Sequence, residues 1–199
     1  MLSMLLPLDA ALALPCDIKN NAAPFIEHDL TANVSTSNSW CELCGYGYVR
    51  IVVANPYSGA VMTGLTVIEN LGSSGLTYEP AAPNPIRYSV NGGPLQNGAA
   101  PATSGPNGSV LTWTAAEIPA LSSLTSSPGM GNDGDTVTIV FAVKRAAGLS
   151  QEGLINANRA IQASVSFSTD SACTDSPQGT SPDTLPLREP IPQVLKRGR

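Results

Sequence analysis

Charged side chains are scarce in this sequence. They make up 13% of its 199 residues, about half the usual share of about 25%. Three lysines and one histidine are present, so most designs for acid–base catalysis lack their usual groups. The net charge of −5 has the wrong sign for a nucleic-acid binder, which needs a basic face. No apolar run reaches the roughly 18 residues of a membrane-spanning helix. The motifs G-x-S-x-G, H-E-x-x-H and G-x-G-x-x-G and the P-loop are all missing. No nucleophile–base pair can be assembled, which points away from an enzyme and from any cofactor.

Small polar and turn-forming residues take the place of charge: 21 Ser, 15 Thr, 18 Gly and 17 Pro, more than a third of the chain. That mixture suits short strands joined by many turns and disfavours a helical bundle. Apolar periodicity is two almost everywhere. Residues 48–54 place Val49, Ile51 and Val53 on one face and Arg50 on the other. Residues 135–144 place Val137, Ile139, Phe141 and Val143 inward, with Thr136, Thr138 and Lys144 outward. Residues 159–168 alternate again, Ile161, Ala163, Val165 and Phe167 opposing Gln162, Ser164 and Ser166. This is the pattern of half-buried antiparallel strands. Shorter strands are expected at 30–36, 62–68, 86–90 and 110–114, with at most a helical turn near 115–121 or 150–154. About seven strands separated by turn clusters predict an all-β, immunoglobulin-like antiparallel sandwich. Residues 91–109, rich in Gly, Pro, Asn and Ala, read as a long loop with almost no anchor, disordered or passively packed.

Three segments follow: 1–27, signal-like or extended; 28–173, the sandwich; and 174–199, a Pro-rich linker with a strand-like tail. The opening MLSMLLPLDAALALP has an apolar stretch and an A-x-A pattern at Ala11-Leu12-Ala13, but no basic residue before Lys19. It reads either as a secretory signal lacking its basic front or as an apolar element of the mature domain. Pro177, Pro182, Pro186, Pro190 and Pro192 predict a semi-rigid extended linker. Beyond it Val194, Leu195 and Lys196 form a strand-like segment, either the start of a following unit or a strand offered to a neighbour.

The order of the elements is itself a pattern. Tyr48-Val-Arg-Ile-Val-Val-Ala-Asn55 leads to Thr63-Gly-Leu-Thr-Val-Ile-Glu-Asn70 and Gly75-Leu-Thr-Tyr78, then Leu111-Thr-Trp113, Gly134-Asp-Thr-Val-Thr-Ile-Val-Phe141 and Leu154-Ile-Asn-Ala-Asn158. Over residues 29–172 this resembles the bacterial surface-repeat domain known as DUF-eleven. The resemblance implies an immunoglobulin-like sandwich, repeated in secreted or cell-wall proteins as a stalk or adhesive spacer. Some relatives carry a Lys–Asn isopeptide link, which needs a neutral amine, an amide and a protonated acid in a dry core. The acceptors matching the family are Asn156 and Asn158. The donor belongs on the first strand, where 30–36 has no Lys; Lys19 lies too early and Lys144 alternates outward. The link is therefore not expected, although Lys196 would occupy the donor place of a following repeat.

Four cysteines, Cys16, Cys41, Cys44 and Cys173, suit an exported chain with two disulfides. Cys16–Cys173 would tie the domain ends and Cys41–Cys44 would close a local loop; crossed pairing is the alternative. One C-x-x-C is too few for a four-thiolate zinc site, and no βαβ unit surrounds it for redox work. Gly131-Asn-Asp-Gly-Asp135 reads as a tight turn, with Asp133 and Asp135 as weak calcium candidates. His28 lies between Glu27 and Asp29 without a nucleophile motif. Trp40, Trp113 and Tyr88 read as core or sheet-face residues in preference to a sugar platform. Asn33 and Asn107 lie in N-x-S sequons.

The expected function is a non-enzymatic, extracellular structural module of a bacterial surface, a stalk repeat or a fibre subunit. Its expected partners are itself or neighbouring repeats, or else a cell-surface polymer or glycan. The alternative is an adhesin or carbohydrate-binding module using residues 91–109. Peptide mapping without reduction should recover Cys16 joined to Cys173 and Cys41 joined to Cys44. Recovery of free thiols would remove the disulfides from this picture.

Overall fold

Strands whose apolar residues all face one way must find a second apolar surface, and here two sheets supply it to each other. The computed structural model describes residues 26–31, 46–55, 57, 60–72, 74–125, 135–147, 160–169 and 183–186. Sheet one runs β1 (Ile26–Thr31), β2 (Tyr46–Ala54), β10 (Thr136–Arg145), β5 (Ile86–Val90) and β6 (Gln96–Asn97). β4 (Leu76–Tyr78) also pairs with β10, beyond the end of β5. Sheet two runs β12 (Asp183–Pro186), β11 (Ala160–Thr169), β3 (Met62–Asn70), β8 (Val110–Trp113) and β7 (Ala102–Ser104), with β9 (Ser123–Leu124) on β3. All pairings are antiparallel. The all-β, immunoglobulin-like sandwich is the architecture expected from the period-two pattern.

Strands expected at 48–54, 62–68, 86–90, 110–114, 135–144 and 159–168 are present within two residues at each end. Of the stretch 30–36, only the first two residues belong to the described β1; the rest lie outside the described residues. Among the described residues there are twelve strands where about seven were expected. The extra ones are short, and brief ladder segments have too few residues to display an alternation. The helical turn near 115–121 is a 3-10 turn at Pro119–Ser122, while 150–154 lies outside the described residues. The Pro-rich stretch read as a linker contributes β12, which tolerates Pro186 because it is an edge strand.

The inter-sheet core consists of the residues the alternation placed inward. Val49, Ile51 and Val53 of β2 and Val137, Ile139, Phe141 and Val143 of β10 are buried against Leu65, Val67, Leu111, Trp113, Ile161 and Val165 of sheet two. The Trp113 ring contacts Phe141 across the sheets, centroids 5.0 Å apart and tilted by 49°. Tyr57 meets Phe167 at 6.1 Å near the end where β2 finishes and β3 begins. In β3, Gly64 has φ 58° and open space where a Cβ would sit. The register with β11 slips there, Ser166 opposing Thr66 and Ser168 opposing Thr63. One extra residue is thus absorbed in a bulge that needs a positive φ.

The outer face of sheet one is covered too. Val140 and Ala142, outward positions of β10, are buried with Tyr48 and Ala82 and packed by Tyr46 and Leu95. The segment 79–85, with three prolines, lies over them, and the Tyr48 hydroxyl donates to the Pro83 carbonyl at 2.6 Å. β10 is therefore buried on both faces along its middle, as a central strand should be. Replacing Trp113 by Ala removes the largest wholly buried side chain among the described residues and should cost about 3–5 kcal/mol, read as a lower denaturant midpoint. A loss below about 1 kcal/mol would show that the two sheets do not depend on this contact.

Candidate functional site

Most of the side chains singled out from sequence lie outside the described residues: Cys16, Cys41, Cys44, Cys173, Asp133, Val194, Leu195 and Lys196, and also Lys19, Asn33, Trp40, Asn156 and Asn158. The described ones resolve as follows. Trp113 and Tyr88 are core residues, and the Tyr88 hydroxyl bonds to Gln96 Oε1 at 3.0 Å. His28 sits in β1 opposite Ile51. Lys144 does point outward and pairs with Glu79. Asn107 is exposed at the β7–β8 turn.

Asp135 ties three segments together. Its carboxylate accepts from the Asn91 amide at 2.8 Å, from the Thr125 backbone N–H at 3.0 Å and from the Thr125 hydroxyl. Its own N–H donates to the Thr125 carbonyl at 3.0 Å. Asn91 returns the contact by accepting from the Thr136 N–H at 2.7 Å. Hydrogen bonds from Thr125, then from Asn91, hold this carboxyl below the ordinary aspartate range. In the described structure its oxygens serve the fold, and no group of three metal-binding side chains occurs among the described residues.

Two buried polar residues carry no signal in a short motif scan. Asn55, wholly buried, donates through Nδ2 to the Ala60 and Leu124 carbonyls, both at 2.8 Å, and accepts from the Tyr57 N–H at 2.9 Å. It thereby fastens the β2–β3 crossover to β9, and its place at the end of a strand run was the only cue. Glu69 follows Leu65 and Val67 at an inward position of β3 and is wholly buried, with Leu111 and Ala163 opposite it on the neighbouring strands. Parity along β3 would have found it. It is an acid in a dry core, as isopeptide chemistry requires; the matching amide candidates and Lys19 lie outside the described residues.

The stretch 91–109 is not the unanchored loop that its composition suggested. It contains β6, β7 and a 3-10 turn, and Ala99 N–H bonds to the Glu117 carbonyl. Asn91-Gly92 and Asn107-Gly108 form tight turns with positive φ at both residues, the hairpin chemistry of Asn–Gly. Those dipeptides were the missed signal. The segment crosses from sheet one to sheet two and leaves only two- and three-residue edges, too short to template another chain readily. On the opposite side β1 packs alongside β12.

The strand directions place the entry and exit of the fold. β2 runs toward the end where Ala54 and Asn55 lie, so antiparallel β1 starts there, Ile26 opposing Val53. β11 starts at the other end, and β12 finishes there with Pro186 opposing Ala160. β1 and β12 therefore run in the same direction, each at the edge of its sheet.

No family model and no curated protein matches the chain. Among solved structures, the chain is similar to the full-length major pilin SpaD of Corynebacterium diphtheriae, at 15% identity and TM-score 0.40 over 80% of this chain and 33% of the pilin. It is similar to the collagen-binding domain of the Erysipelothrix rhusiopathiae surface protein RspB at 17% identity and TM-score 0.44, over 81% of this chain and 46% of that one. It also matches AvmM, which catalyses macrocyclization in alchivemycin A biosynthesis, at 10% identity and TM-score 0.35, over 86% and 93% of the two chains. The chain thus spans a third to under half of the first two. At these scores a shared sandwich says nothing about activity.

Because the Asp135 carboxyl is held below its ordinary value, its contribution is complete above about pH 4 and fades as pH falls through the folded-state value. Asp135→Ala should therefore unfold at lower urea than the parent at pH 7, with the gap narrowing as pH falls below the ordinary aspartate range. A gap that stays constant with pH would mean that the carboxylate charge plays no part in the clasp.

Proposed function

We propose that this chain is a non-enzymatic extracellular module of a bacterial surface, serving as a stalk repeat or as the subunit of an extracellular fibre. The observation that supports it best is the path of the chain: it enters the described sandwich at one end with β1 and leaves at the other with β12. Units strung through such ends extend lengthwise, and tension between them runs along two packed edge strands. The low charge and the strand order of the sequence favour the same reading.

The finer step is assembly. Val194, Leu195 and Lys196 would add as a strand to a neighbouring copy, main-chain hydrogen bonds giving affinity and alternate side chains giving register. Electron microscopy and light scattering of the chain from its native source should show ordered fibres, and truncation before Pro192 should leave single particles slightly lighter than the 20.5 kDa of the whole chain. Uniform particles of that mass with the tail intact would overturn fibre assembly.

A further inference from the structure

Asn–Gly occurs three times in the sequence, at Asn91-Gly92, Asn97-Gly98 and Asn107-Gly108, and the fold treats the three differently. Asn91 and Asn107 make the same turn. Asn91 has φ 50° and Gly92 φ 68°, closed by the Gly93 N–H on the Val90 carbonyl at 2.8 Å. Asn107 has φ 55° and Gly108 φ 67°, closed by the Ser109 N–H on the Pro106 carbonyl at 3.1 Å. Their side chains are not alike. The Asn91 amide is held at both ends, by Asp135 and by the Thr136 N–H. Asn107 is exposed, as Asn91 is, but its amide has no hydrogen bond to any described residue, and the 3-10 turn around it buries nothing. Asn97 lies in β6, where the Gly98 N–H is bonded to the Ile86 carbonyl at 3.2 Å and Gly98 packs so closely that a Cβ would meet Ile86 at 2.8 Å.

We propose that Asn107 is a site of spontaneous self-modification, deamidating through a cyclic imide in the folded protein, and that the fold suppresses the same reaction at Asn91 and Asn97. The Gly108 main-chain nitrogen gives up its proton to solvent hydroxide and adds to Cγ of Asn107. The Cγ–Nδ2 bond breaks, and the amide nitrogen leaves as ammonia with a proton from water. Water then opens the five-membered imide at either carbonyl, leaving aspartate or isoaspartate, with no oxidation or reduction. Glycine is the residue that permits this approach, having no side chain to obstruct its nitrogen. The Gly108 N–H bonds to the Gly105 carbonyl at 3.3 Å, much as Gly98 bonds to Ile86, but at Gly108 a Cβ would meet nothing closer than Thr103 at 3.7 Å. At Asn91 the attacked carbon is fixed by the Asp135 clasp, and at Asn97 the attacking nitrogen is fixed in the ladder. Each event adds one negative charge at the tip of the β7–β8 hairpin, taking the chain from −5 one unit lower.

The test is a time course of the intact chain, made in a bacterial host, in mildly alkaline buffer with and without urea, followed by peptide mass mapping. In urea the three sites should convert at similar rates. In the folded chain Asn107 should keep a rate within a few-fold of its unfolded one, while Asn91 and Asn97 slow by about tenfold or more, as required when local opening must precede reaction. Asp135→Ala should speed conversion at Asn91 and leave Asn107 unchanged. A folded-state rate at Asn107 no greater than at Asn91 and Asn97 would overturn the proposal, whether or not the variant folds.

Discussion

Everything in this fold depends on the dry contact between two inward faces, and the contact of Trp113 with Phe141 lies in its middle. An isolated sheet of this composition would leave one side of each strand in water, and few charges are available to solubilise it. Facing the sheets removes that side at a stroke, with hydrophobic burial of about 25 cal/mol per Å² as the driving force. The chain adds a second, smaller cover, in which the proline-rich segment 79–85 and the tyrosines Tyr46 and Tyr48 seal the outward side of β10.

Buried backbone ends must be satisfied, and polar side chains do this where strands stop. Asn55 gathers two carbonyls and one N–H at the β2–β3 crossover. Asp135 and Asn91 do the same where β5 turns and β10 begins. Such residues look like ordinary loop polar groups in a sequence, yet leaving their partners unmade costs more than the bonds themselves contribute. Both clusters lie at the same end of the sandwich, joined by the Asn55 N–H on the Asp135 carbonyl at 3.0 Å.

The long strands could be read in advance because their alternation is strict over seven or more residues, as in Ile161, Ala163, Val165 and Phe167. The short ones could not: β6 and β7 have two and three residues and no detectable period. The stretch 91–109 misled for a related reason. Its Gly, Asn and Pro signal turns, and turns at both ends of a small ladder look like one long loop until the ladder is seen. Glu69 was hidden by its chemistry, since an acid in a strand is ordinarily assigned to solvent.

By itself the sequence determined the class of the fold and which face of each long strand goes inward, because side-chain period and turn chemistry are local properties of the chain. It also bounded the function, since charge and motif content are visible without coordinates. Only the tertiary structure decided which strands neighbour which, that β1 and β12 run side by side in one direction, and which of three identical Asn–Gly pairs is tethered. Those depend on contacts between residues far apart in the chain, such as Asn91 with Asp135, and no local pattern encodes them.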